Sequence, residues 1–172
     1  MDHPLAEPLR HNSWATLRLL DACRALTAAQ LAATVPGAMG SVLATLQHIV
    51  AAEGFYQSLV AGRWPGWRWP AGQPPGLDGL VAPAQDCAAF WERFLGQPYD
   101  PDRRVDVRDP DDGAIHDVAL GVILVQVLDH GTDHRSQVST ILTAIGVTPP
   151  RLDGWAYGRA CGRLVPGGAP AR

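Results

Sequence analysis

Apolar positions recur at helical intervals over most of the chain, and the recurrence breaks at a few Gly- and Pro-rich points. From Leu5 to Leu26, Leu9, Leu17 and Leu20 mark one face of a first helix, in which Pro8 is tolerable only near the first turn. Thr27 with Gln30 has the form of a capping box and predicts a short helical turn through Leu31. Pro36-Gly37-Ala38-Met39-Gly40 interrupts the chain. Ser41 then caps a second helix to about Val60, with Gly62 as its stop. A third helix from near Pro83 to Gly96 is expected to bury Phe90, Phe94 and Trp91. Val105 and Val107 alternate with charges, Asp109-Pro110-Asp111-Asp112-Gly113 makes a turn, and Ala114-Ile115 returns, which predicts a small β-hairpin. Asp117 is read as the cap of a long fourth helix reaching Ile145, with Gly146 as its stop.

Residues 62–80, between the second and third helices, carry Pro65, Pro70, Pro74 and Pro75 among glycines, with Trp64, Trp67 and Trp69 interleaved. A connection of that length is usually functional or mobile. Its aromatic density argues for packing, as a pocket lid or a dimer surface. Beyond Gly146, a tail from about residue 147 is expected to dock partly through Leu152, Trp155 and Tyr157, with the last residues frayed. Four amphipathic helices with one long connection predict an all-α fold, a four-helix bundle, in a single domain over 1–172.

Composition narrows the function. A net charge of −3 offers no basic face for nucleic acid. No lysine is present, which removes Schiff-base and pyridoxal chemistry. Cys23, Cys87 and Cys161 form no CxxC pair, so the expectation is a reducing, cytoplasmic setting without disulfides. The first ten residues lack the apolar core of a signal peptide, and no apolar run approaches the ~20 residues of a membrane span.

The fourth helix carries the strongest chemical signal. Ile123, Val127, His130, His134, Val138, Ile141 and Ile145 follow one another by three or four residues and share a face. An imidazole buried in such a stripe must find partners. Two at i and i+4 can reach one ion, or can be core histidines bonded to other helices. A zincin protease is disfavoured, because Gly131 stands where its general-base glutamate would follow His130. His48, among Leu43, Leu46, Ile49 and Val50, is the best candidate for a third ligand, although a lone histidine there also reads as a core residue. His3 and His11 are expected to be exposed, and His116 is a weaker fourth option.

Leu124 to Arg135, with His130-Gly131-Thr132-Asp133-His134-Arg135, resembles the HxxxHR helix of the DinB-like metal-binding proteins. Thr45-Leu46-Gln47-His48-Ile49 resembles that family's first-ligand helix, preceded by Gly40-Ser41. His11-Asn12-Ser13-Trp14, Pro150-Arg151-Leu152-Asp153 and Tyr157 match further landmarks in order and spacing. The resemblance implies an up-and-down bundle, often a homodimer, holding zinc or nickel through His48, His130 and His134. Some relatives transfer low-molecular-weight thiols such as bacillithiol or mycothiol; many have no known reaction. His11 and Thr16 depart from the residues common at their positions, and the Trp-rich loop is unusually long, which leaves the ligands intact and the substrate open.

Three neutral imidazoles leave an ion its full charge and an open position, the pattern of a reactive site. Ligand type alone admits zinc, nickel, iron(II) or copper(II). The favoured expectation is metal-assisted activation of a thiol or water against a small electrophile, by a transferase or hydrolase. The alternatives are a non-catalytic, stress-associated metal-binding dimer and a plain structural bundle. Glu53 lies about 140° round the helix from His48 and is either a partner or base near the metal or a solvated carboxylate. Asn12 either orients a ligand or bonds opposing backbone. Arg135 either holds an acidic substrate group or, more plainly, pairs with Asp129 or Asp133.

Overall fold

Helix boundaries follow the punctuation in the sequence closely, with one exception at the start of the longest helix. The computed structural model describes residues 4–70, 72–108 and 112–165. Helix α1 spans Ala6–Cys23, and α2 is a single turn, Ala28–Leu31, begun by the Thr27–Gln30 capping box. Helix α3, Val42–Ala61, starts where Ser41 Oγ accepts the Ala44 N–H and stops at Gly62, whose φ of +69° is costly for any residue with a Cβ. A 3-10 turn at Leu77–Leu80 leads into α4, Val81–Leu95, so Pro83 falls in the first turn. Trp91, at 1% exposure, is the aromatic that α4 buries, while Phe90 and Phe94 are half-buried. Strands β1 (Arg104–Arg108) and β2 (Ile115–Ala119) form an antiparallel pair in which Asp106 faces Asp117. The turn residues 109–111 lie outside the described residues.

Helix α5 runs over Leu120–Ala144. Asp117 does not cap it: β2 continues to Ala119, the helix begins without a side-chain cap, and the Asp117 carboxylate is taken by Arg104 at 2.9 Å. The strand ladder wins because both neighbours of Asp117 are already committed to pairing with β1. A short helix not expected from the sequence, α6 (Gly154–Ala160), follows Asp153, whose side chain accepts the Ala156 N–H. Leu152 and Tyr157 are partly covered, but Trp155 is 68% exposed and does not dock. The frayed end expected of the tail falls on residues 166–172, outside the described residues.

The described chain is thus mostly helical with one small antiparallel sheet. Helix α3 packs on α4 and α5, and α1 packs on the same two. Two apolar clusters result. One joins Leu19, Leu20, Leu46, Ile49, Val138 and Ile141; the other joins Leu9, Tyr56, Trp91, Leu120, Leu124 and Val127. Along α1, α3 and α5 the positions between these clusters are polar yet buried: Asn12 and Thr16, Glu53, and Arg135. A polar layer therefore crosses the interior at the level of the histidines. Two of the three tryptophans of the long loop pack inward, with Trp67 and Trp69 stacked at 5.2 Å between centroids and Trp67 lying over Gly54 of α3, while Trp64 is exposed.

Candidate metal centre

His48 of α3 and His130 and His134 of α5 converge where these two helices pack. One ligand atom from each lies within 4.8 Å of the others, and His48 Nε2 is 2.9 Å from His130 Nε2. Nitrogens around a tetrahedral ion bonded at ~2.0–2.1 Å stand about 3.3 Å apart, so small side-chain rotations suit these rings to one ion. Among the described residues no other His, Cys, Asp or Glu joins the group.

The site is less buried than the aliphatic stripe suggests. His130 and His134 are half-buried, and His48 is exposed although Ile49 and Val50 beside it are buried. The centre therefore opens to solvent at the edge of the α3–α5 packing. Burial and the neighbouring His134 and His48 lower the His130 pKa to about 4, and burial and His134 lower that of His48. Both rings are neutral near pH 7, the form that donates to a metal.

Gln137, which sequence reasoning missed, orients the third ring. Its Oε1 accepts the Met39 backbone N–H at 2.9 Å, and its Nε2 donates to Asp133 Oδ2 at 2.9 Å. With the amide so fixed, the 3.2 Å contact between Oε1 and His134 Nδ1 requires the proton on Nδ1. The lone pair of Nε2 is then free for an ion. The signal was there, a glutamine one turn beyond His134, but its link to Met39 was not legible. The Tyr56 ring meets His130 edge-on at 5.5 Å, a second contact that spacing did not reveal.

The remaining candidates form a different assembly. Glu53 is neither a solvated carboxylate nor bonded to a histidine; it is 6% exposed and accepts Trp91 Nε1–H at 2.9 Å and Asn12 Nδ2–H. Asn12 bonds no opposing backbone through this side chain: its Oδ1 accepts from Arg135 Nη1 at 2.7 Å. Arg135 forms no pair with Asp129 or Asp133; its Nη1 also reaches Thr16 Oγ1 at 3.0 Å. Asn12 thus relays between a buried guanidinium and a buried carboxylate. Burial raises the Glu53 pKa, opposed by Trp91, Asn12 and Arg135, and burial lowers that of Arg135 to about 10. His11 is not fully exposed; its Nε2 lies 2.6 Å from the Leu152 carbonyl. His116 sits in β2, away from the group, and His3 lies outside the described residues.

Comparison with known proteins bears on the fold and the family. No curated protein matches the chain. A crystal structure of a DinB-like protein from Bacillus cereus ATCC 10987 superposes with a TM-score of 0.63 at 17% identity, covering 82% of this chain and 90% of that one. At that identity the likeness concerns the fold. The model of the DinB family matches residues 1–163, nearly the full length. The chain belongs to the DinB family.

Proposed function

We propose that this protein is a metal-dependent enzyme that activates a low-molecular-weight thiol, or water, for attack on a small electrophilic substrate. The observation that carries it is the three-nitrogen group of His48, His130 and His134, open to solvent and without a fourth protein donor among the described residues. Structural zinc is usually closed by four protein ligands, whereas a reactive centre keeps a position free. A divalent ion, zinc or nickel, supplies Lewis acidity there and favours the ionised form of a nucleophile beside it. The chain's own residues prepare the place: Gln137 holds the His134 proton on Nδ1, and the neutral His48 and His130 rings offer lone pairs. Glu53 is committed to Trp91 and Asn12 and is unavailable as a base. That favours a thiol, with an ordinary pKa near 8.5, over water near 15.7. A transferase is therefore the first reading and a hydrolase the second.

The same proposal takes the chain as an up-and-down four-helix bundle in one domain. Val122 and Val125, three residues apart on α5, are 59% and 65% exposed, an apolar pair that supports a homodimer. The free cysteines suit the cytoplasm, and among the described residues no helix is long and apolar enough to cross a membrane. Metal analysis of untagged protein is the first test: one ion per chain is expected, absent in His134→Ala. Loaded protein is then offered thiols with epoxides or halogenated compounds. Binding without turnover of any pair would favour a non-catalytic metal-binding dimer, and retention of metal by His134→Ala would overturn the site.

A further inference from the structure

The seam between α3 and α5 continues past the histidines toward the β1–β2 hairpin. His48 meets His130 and Tyr56 meets Gln126, so the two helices run antiparallel, and residues after His48 stand opposite residues before His130. Phe55 and Leu59 come seven and eleven residues after His48, and Ile123 comes seven before His130. Each returns to within about 20° of its ligand's direction round the helix. Ala52, one turn past His48, carries only a methyl group. Phe55, Leu59 and Ile123, with Val107 and Val118 of the hairpin, line a pocket of about 160 Å³. Val122, 59% exposed, stands at its solvent edge. No charged residue lines it, and its two polar side chains are engaged with each other, Gln126 Nε2 donating to Tyr56 Oη at 3.4 Å. The Tyr56 ring is shared with the metal centre, since it also meets His130 edge-on.

We propose that this pocket is the subsite for the non-reacting end of the substrate, and that this end is an uncharged, monocyclic hydrocarbon group. The volume sets the size: an apolar cavity of about 150 Å³ takes benzene, and this one is about 160 Å³. The lining sets the polarity, because a charged group placed there loses water and meets no counter-charge. The position sets the role. Gln126 is one turn, about 6 Å, from His130, so a ring beside it lies a few bonds from an atom held at the histidines. An arylalkyl epoxide or halide has this form. The role as a subsite rests on the metal-centre reading; occupancy of the pocket by a ring does not.

The test titrates the metal-free full chain, ¹³C-labelled at its Ile, Leu and Val methyl groups, with benzyl alcohol, benzoate and benzylammonium. Benzyl alcohol is expected to saturate, with shifts at Leu59, Val118 and Ile123, and the two charged rings bind at least about tenfold more weakly. Val118→Phe and Leu59→Phe fill the pocket from two walls, and each abolishes saturation with the fold retained by circular dichroism. A second arm adds one equivalent of Cu(II), an ion that suits imidazole ligands. The ring protons of bound benzyl alcohol should then relax faster than with diamagnetic Zn(II), as a separation of about 10 Å or less requires. No saturation up to about 50 mM, equal binding of the charged rings, or parent-like binding by either folded variant overturns the pocket and leaves the metal centre standing. Ring binding without added relaxation from bound Cu(II) overturns the subsite. Failure of the ion to bind overturns it together with the proposed function, while the titration still reads the pocket. Affinity that falls as protein concentration rises shows a second copy occupying the pocket at Val122, which overturns the proposal as well.

Discussion

Gly131 stands where the side chain of Asn12 passes from α1 into α5. A methyl group on residue 131 would lie inside hard contact with Asn12 Oδ1 and 2.7 Å from Arg135 Nη1. The glycine that follows the first histidine of the HxxxHR segment is therefore not idle spacing; it is the gap through which Asn12 reaches both Arg135 and Glu53.

Gly131→Ala tests that gap. In an exposed helix interior the change gains up to about 1 kcal/mol. Here overpacking should reverse the sign and cost about 1–3 kcal/mol. Urea denaturation of the purified variant measures it, and a gain in stability would show that Asn12 moves aside at no cost.

Arg135→Lys should destabilise by about 1–3 kcal/mol although the charge is kept, because an ammonium cannot meet Asn12 Oδ1 and Thr16 Oγ1 with the geometry of the guanidinium. Metal stoichiometry should stay at one per chain. Loss of the ion with unchanged stability would place Arg135 at the metal instead of in the core.

Removing the amide that orients His134 should weaken metal binding without abolishing it. Gln137→Leu is expected to lose about 10- to 100-fold in affinity, read by competition with a chromophoric chelator. Unchanged affinity would mean that the Gln137 contact does not set the His134 proton.

Glu53 makes stability depend on pH with a defined sign. Burial raises its folded pKa above the ordinary carboxyl value, so the folded state holds its proton more tightly than the unfolded chain. The associated stability is complete below the unfolded pKa, near 4.3 for a free Glu, and declines as pH rises through the folded value. Glu53→Gln adds a constant cost, since its amide meets the donors of Trp91 and Asn12, but removes this slope. Denaturation series from pH 4 upward on both proteins compare the slopes, and parallel curves would refute the assignment.

Much of the fold was legible because its signals are local. Ser41, the Thr27–Gln30 box and Gly62 act within one turn, and residues 130 and 134 share a face whatever surrounds them. Asp117 misled because a capping residue and a strand residue look alike until the partner strand, Arg104–Arg108, is in place. Glu53, Asn12 and Arg135 misled for a deeper reason. Spacing within α3 or α5 says which side a residue faces, but their burial depends on 12, 53, 91 and 135 meeting across four helices. Trp155, by contrast, was expected to dock on hydrophobicity alone and lies open.

The polar layer between the two apolar clusters has a mechanical consequence. Sliding α5 by one turn, about 5.4 Å, would push Arg135 into hydrocarbon and leave Glu53 without its counter-charge. The helices consequently have one permitted axial setting, and that same setting brings residues 48, 130 and 134 level. The three rings are brought together by the core itself, and because His48 faces solvent, the ion proposed above would have a route to them that does not require the helices to part.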